Sequence, residues 1–260
     1  MSGVKKNLWI TAAAAILILA GVFAIAGRST VHASSFHEED KNVWTDGSTS
    51  YYGKGDSLYK KVGGKETGLV TFHAEHADKG EPAYAKVVNV YGAYVYVLQQ
   101  NDVGESKLYS YNLESGKLTL CSSKCYVCKA NGAYMLALPY EPTDVSAHAL
   151  TLYKAQGEKV KKVRQLASYS VEWSQIYKGK FIYASFASPD LSGNLKIMSC
   201  KADGTKAKTL FTIKGSKETL TVVYSKGTKI TVSQSYNEGD KPVTLNYVYD
   251  LKSGKLKKKN

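Results

Sequence analysis

Apolar and polar residues along most of this chain alternate in short runs, and each run ends at a glycine or a small polar turn. That period of two, bounded by turn residues, predicts strands, and helical spacing is nearly absent beyond residue 33. Four runs share one design in which a turn glycine opens an apolar-aromatic strand: Tyr91-Gly92-Ala93-Tyr94-Val95-Tyr96-Val97, Asn131-Gly132-Ala133-Tyr134-Met135-Leu136, Lys178-Gly179-Lys180-Phe181-Ile182-Tyr183 and Lys226-Gly227-Thr228-Lys229-Ile230-Thr231-Val232. A second strand follows each and closes in its own turn, at Leu108 to Gly116, Leu150 to Gly157, Leu195 to Gly204 and Tyr247 to Gly254. The two glycines of a unit stand 24, 25, 25 and 27 residues apart, so the internal geometry holds while the connections vary.

A leading strand such as Ala85 to Val90 and a closing one such as Lys117 to Leu120 bring each unit to four strands. The units fall near residues 82–123, 124–168, 169–213 and 214–260, after a truncated copy over about 42–74. A period of about 40–50 residues with several strands per unit is the signature of propeller blades. The expected fold is an all-β β-propeller of about five four-stranded blades, or six if two are merged, preceded by an N-terminal apolar helix. The first copy is short and the last closing strand, Lys255 to Lys259, is weak and basic, so the two ends are expected to share one blade.

The leader changes the setting. Lys5 and Lys6 precede an uncharged apolar run from Leu8 to Gly27, and Val31-His32-Ala33 offers a small-x-small cleavage pattern. Residues 1–33 therefore read as a signal peptide or an uncleaved membrane anchor, since 20 residues span a bilayer as a helix. Either way residues 34 onward are expected outside the cytoplasm, with 34–41 as a linker and 42–260 as the propeller domain. The only membrane contact expected is through residues 8–27, if uncleaved.

The strand composition, the glycine-led Tyr91 to Tyr96, the Lys107-Leu108-Tyr109-Ser110-Tyr111 run and the Leu195 to Gly204 segment resemble the domain of unknown function 5050 repeats. Those occur in secreted and surface proteins of Gram-positive anaerobes and are similar to low-density-lipoprotein-receptor and TolB propellers. The resemblance implies a fold and an extracytoplasmic place, and brings no catalytic residue and no cofactor.

Candidate chemistry is sparse. Cys121, Cys125 and Cys128 have the spacing of a radical-enzyme iron–sulfur motif, but in an exported strand repeat rather than a reduced helical barrel. A zinc site would need Cys200, which stands alone and far along the chain. Two readings stay open for the four cysteines: free, partly buried thiols, or one disulfide among Cys121, Cys125, Cys128 and Cys200. His73 and His76 fall at a strand end running into a turn and His148 in a polar insertion, so no metal site is expected. The acids Asp46, Glu172, Asp190 and Asp240 are scattered, and Asp46-Gly47 and Asp203-Gly204 read as turns. No nucleophile elbow or phosphate loop is present, so no catalytic residue is named.

The whole chain carries +13, which becomes +10 once Lys5, Lys6 and Arg28 are removed with the leader. Lys159 to Arg164 and Lys252 to Lys259 concentrate it, either as a solvated face or as a surface for phosphate-rich polymers. For an exported chain the expected partners are an anionic cell-wall polymer, a glycan or a surface protein, and not nucleic acid. Trp44 and Trp173 are candidate ligand contacts against a core role, and the variable loops 99–106, 139–149, 185–193 and 235–241 are where such a scaffold places binding. The expected function is a non-catalytic cell-surface binding or structural module. The alternatives are a polysaccharide-active propeller hydrolase or lyase, and a membrane-anchored envelope sensor.

Overall fold

A computed structural model describes residues 37–40, 43–72, 83–101, 106–139, 147–215, 220–238 and 241–259. The leader 1–33, with its expected helix and cleavage site, lies outside these residues, as do His73, His76 and Asp240.

Among the described residues, twenty-one strands form five antiparallel sheets that follow the chain in order. Blade 1 holds β1 (His37–Asp40), β2 (Val43–Thr45), β3 (Thr49–Lys54), β4 (Ser57–Val62) and β5 (Lys65–Thr71). Blade 2 holds β6 (Ala83–Tyr91), β7 (Tyr94–Asn101), β8 (Ser106–Asn112) and β9 (Leu118–Ser122), and blade 3 holds β10 (Tyr126–Asn131), β11 (Tyr134–Leu138), β12 (His148–Gln156) and β13 (Lys159–Ser170). Blade 4 is β14 (Ser174–Tyr177), β15 (Lys180–Phe186), β16 (Leu195–Lys201) and β17 (Lys208–Ile213), and blade 5 is β18 (Leu220–Lys226), β19 (Lys229–Glu238), β20 (Lys241–Asp250) and β21 (Lys255–Lys259). The all-β propeller architecture with five blades is as the repeat indicates, and the described residues contain no helix.

The turn glycines do what the repeat requires. Tyr177 pairs directly with Lys180, and the two residues between them, Lys178 and Gly179, both have positive φ, 49° and 67°. That is the turn whose twist matches a strand hairpin, and the glycine enters it without steric cost.

Two expectations about the ends are corrected. The termini do not share a blade: β1 pairs with β2, and β21 with β20, within separate sheets. The first blade supplies its own outermost strand from His37–Asp40, inside the segment expected as linker; backbone pairing with Val43–Thr45 needs no apolar side chain, which is why His-Glu-Glu-Asp can serve.

Inner blades are buried on both faces. Val95 to Leu98, Met135 to Leu138 and Phe181 to Ala184 are buried without a break, as a sheet sandwiched between neighbours must be. In β19 burial alternates instead: Ile230, Val232 and Gln234 are buried, while Thr231 and Ser233 are half-buried and Ser235 is exposed. The open face of blade 1 is polar too, where Tyr52 donates a hydrogen bond to Glu66 and Lys54 pairs with the same carboxylate at 3.2 Å. The buried clusters run from blade 1 through blade 3, between blades 3 and 4, and between blades 4 and 5. Among the described residues no such cluster joins blade 5 to blade 1, so each blade is stabilised by its sequence neighbours.

Polar latches reinforce these contacts. Asn89 donates from Nδ2 to the Gly132 carbonyl at 3.0 Å, and Asn131 donates to the Gly179 carbonyl at 3.1 Å. In both, the asparagine of one blade holds the turn glycine of the next. Tyr96 adds a hydroxyl bond to the Gly157 carbonyl at 2.8 Å. Blades 1 and 2 are in tight contact at Gly53, where a Cβ would stand 1.7 Å from the Ala85 carbonyl oxygen.

Candidate functional site

The leading strands β6, β10 and β14 of successive blades approach one another. Lys86, Tyr126 and Trp173 each lie six residues before the turn glycine of their unit, at Gly92, Gly132 and Gly179. Lys86 and Tyr126, at equivalent positions of neighbouring blades, lie side by side. The Tyr126 hydroxyl donates to Glu172 Oε1 at 2.6 Å, and the Lys86 ammonium stands 5.6 Å from the Tyr126 ring centroid. Tyr126 is buried while Glu172 is exposed, so the pair links the interior to solvent. A cavity of about 30 Å³ beside it is lined by Lys86, Val87, Val127, Cys128 and Lys129, room for water and not for a sugar ring.

This cluster combines a cation, a phenol and a carboxylate, groups able to hold or move a proton. Glu172 was expected only as a scattered acid, and Lys86 and Tyr126 were not singled out at all. Alignment of the repeats on their turn glycines finds Lys86 and Tyr126 as equivalent positions, whereas Glu172, one residue before the equivalent Trp173, carries no such signal.

The remaining candidates serve the scaffold. Asp46 Oδ1 accepts from the Ser48 and Thr49 amides at 3.0 and 2.8 Å, closing the turn between β2 and β3 and holding its carboxyl below the usual range. Asp190 accepts from the Ser188 and Ser192 hydroxyls and the Ser192 amide, which lowers its carboxyl to about 2. Asp203 is lowered by the Thr205 hydroxyl and amide in the turn after β16.

All four cysteines are free thiols in this structure. Cys121 lies at the end of β9, Cys125 before β10, Cys128 within β10 and Cys200 in β16 of the next blade. Burial pushes the Cys125 thiol up to about 12 and the Cys200 thiol to about 11, and raises Cys121 and Cys128 as well. They are packing groups, protonated at neutral pH and poor nucleophiles. Among the described residues no three His, Cys, Asp or Glu side chains converge on a metal site.

Neither tryptophan considered as a ligand contact stands free. Trp44 is 6% exposed within the core of the first blades. Trp173 is half-buried against the cluster between blades 4 and 5, and its Nε1 donates to Ser225 Oγ at 3.3 Å. Both indoles fill space between strands whose neighbours sit about 10 Å away face to face, a gap that large rings suit.

The basic segments lie on outer strands. Lys159, Lys161, Lys162 and Arg164 are exposed on β13, and Lys255, Lys257, Lys258 and Lys259 are exposed on β21, with no acid in either strand.

No protein-family model matches the chain, and no curated protein sequence does. Solved structures are similar in shape. An oligogalacturonate lyase in complex with manganese is 14% identical at a TM-score of 0.45, with 82% of this chain and 61% of that chain covered. A structure from a study of two prolyl endopeptidases is 15% identical at a TM-score of 0.47, covering 98% of this chain and 42% of the other. TolB from Acinetobacter baumannii is 11% identical at a TM-score of 0.36, with 77% and 52% covered. The chain spans about 61% of the length of the lyase. The class defined here is a β-propeller-type repeat protein, and it rests on the sheet order of the chain itself.

Proposed function

We propose that this chain is an exported, non-catalytic binding module that engages an anionic polymer at the outer surface of a cell, in the setting implied by its resemblance to the domain of unknown function 5050 repeats of Gram-positive anaerobes. The observation that carries this reading is the charge of the outer strands: every charged residue of β13 and of β21 is a cation, and all are exposed. Rows of lysine on a rigid sheet attract a polyanion and concentrate it, and the attraction weakens with salt because the Debye length is about 10 Å at 0.1 M. The leader supports export, by cleavage or by anchoring through residues 8–27.

The test is co-sedimentation of residues 34–260 with isolated Gram-positive cell walls, with and without their anionic polymers, across a salt series. Sedimentation that falls with salt and with removal of the polymers is the expected result. Sedimentation insensitive to both would point to a neutral glycan or a protein partner.

A second reading, a polysaccharide lyase or hydrolase, is favoured by one observation, the convergence of Lys86, Tyr126 and Glu172 from three blades. A polyuronate incubated with the protein would then be cleaved, and Glu172→Gln would remove that activity while leaving wall binding intact.

A further inference from the structure

We infer that the face of blade 5 turned away from blade 4 is a docking surface for an extended polymer of phosphodiester-linked polyols; this deepens the polyanion reading above and rests on it. The two faces of the blade are distinguished by packing. Val223, Ile230, Val232 and Tyr249 turn toward blade 4, where Tyr249 stacks on Phe211 with ring centroids 4.7 Å apart. Strand alternation therefore puts Val222, Tyr224, Thr231, Ser233, Asn246 and Val248 on the opposite face.

Cross-strand pairing lines these residues up in three rungs: Tyr224, Thr231, Val248 and Lys257; Val222, Ser233, Asn246 and Lys259; and Lys226, Lys229, Asp250 and Lys255. Blades 1 to 4 each carry a register shift. Blade 5 has none in any of its three pairings. The result is one regular sheet face with no layer above it among the described residues. Val222 is 52% and Tyr224 51% exposed, whereas Val87, Val88 and Val90 of the leading strand β6 and Tyr126 and Val127 of β10 are buried.

The chemistry of this face matches an anionic, hydroxyl-bearing chain. Five lysines, Lys226, Lys229, Lys255, Lys257 and Lys259, face one acid, Asp250, whose Oδ1 already accepts from the Lys252 amide at 2.8 Å. Lys255, Lys257 and Lys259 stand in a row, about 7 Å from one to the next along an extended strand. Tyr224 and Val222 offer apolar surface to a carbon backbone, and Thr231, Ser233 and Asn246 offer hydrogen bonds to hydroxyls.

Lysine is the only cation here; the arginines of the whole chain are Arg28 and Arg164. An ammonium is a point charge with no planar fork, so it suits diester phosphates whose orientation varies along a flexible polymer better than it suits planar carboxylates. A second copy of the chain is disfavoured on the same ground. The open face of blade 1 presents Lys54 and Lys61 as well as Glu66, and would bring like charges together.

The test uses the full chain, purified in a mild non-ionic detergent, and fluorescently labelled poly(glycerol phosphate), with polygalacturonate as a competitor. The variant K257E/K259E, with K257Q/K259Q as a milder form, is compared with K196E/K208E on blade 4; all four lysines are exposed, and thermal unfolding checks that each variant folds. The expected result is a loss of at least about tenfold in affinity for the blade 5 charge reversal, a smaller loss for the glutamine form, and less than about threefold for blade 4. Tyr224→Ala weakens binding at every salt concentration. Wild-type affinity retained by both blade 5 variants overturns the assignment of the face while leaving polyanion binding standing. Equal losses from blades 4 and 5 overturn it as well, by showing diffuse attraction. Competition by polygalacturonate at equal charge overturns the choice of phosphodiester, and failure of wild type to bind either polymer at low salt removes the underlying polyanion reading.

Discussion

Replacing Asn89 by alanine cuts the latch between blades 2 and 3, and its cost follows from the surroundings of the side chain. Asn89 is fully buried, and its Nδ2 donates to the Gly132 carbonyl at 3.0 Å. Loss of that bond costs about 1 kcal/mol, and leaving the partly buried carbonyl without its donor costs about 1 kcal/mol more. The space vacated by the amide costs a further ~1 kcal/mol. Against these, Asn89 Oδ1 is itself buried without a partner, and its removal relieves about 1 kcal/mol. The net is about 2 kcal/mol, or about 4–8 °C in Tm for a domain of this length. Thermal unfolding followed by far-ultraviolet circular dichroism reads the shift. Asn89→Asp provides the control: it keeps the shape but puts an acceptor oxygen in place of the donor Nδ2, facing the carbonyl, so it must be the more damaging change. A Tm within about 1 °C of wild type for Asn89→Ala, or an aspartate milder than the alanine, refutes the latch. Tyr96→Phe removes the separate bond to Gly157 at a cost of about 1 kcal/mol, and because Asn89 and Tyr96 are paired directly across β6 and β7 the double variant shows coupled, non-additive losses.

Gly53→Ala drives a methyl into the Ala85 carbonyl and destabilises by at least about 3 kcal/mol, read as a lower urea midpoint; a change under about 1 kcal/mol shows that blades 1 and 2 can separate freely. Burial holds protons on Cys125 and Tyr51, both at about 12, more tightly in the folded chain than in the unfolded one. Stability is therefore complete below about pH 9 and falls as the pH rises from 9 toward 12, and a Tm that climbs over that window contradicts the burial. At pH 8 native Cys125 reacts with iodoacetamide far more slowly than the urea-unfolded chain; equal rates show that the thiol is open to solvent. Phe211→Ala removes the ring stacked on Tyr249 and costs about 3–5 kcal/mol, with hydrogen exchange rising first in blade 5.

Much of the architecture was legible because the repeat is written in backbone constraints. Gly92, Gly132, Gly179 and Gly227 all adopt positive φ, and the strands they open are those of the second position in blades 2 to 5. The alternation of Ile230 to Ser235, compared with the unbroken apolar run of Tyr94 to Leu98, was also there to be read as a one-sided blade. What escaped was pairing without a side-chain signal. His37–Asp40 joins a sheet by antiparallel backbone pairing with Val43–Thr45, and a charged tetrapeptide gave no hint of it. The Lys86, Tyr126 and Glu172 cluster was hidden for another reason: its members come from three units, and each is unremarkable within its own. The latch residues were hidden because an asparagine near a turn glycine reads as turn chemistry, whereas its partner lies in the next blade.

Asn131 and Gly132 are adjacent, and they face opposite neighbours: the Gly132 carbonyl receives the bond from blade 2, and the Asn131 amide sends one on to blade 4. A single unit thus carries both halves of the joint in two consecutive residues. A tandem duplication of that unit would arrive with its own matching plug and socket, so a gene can lengthen or shorten such an array by whole blades without redesigning the seams.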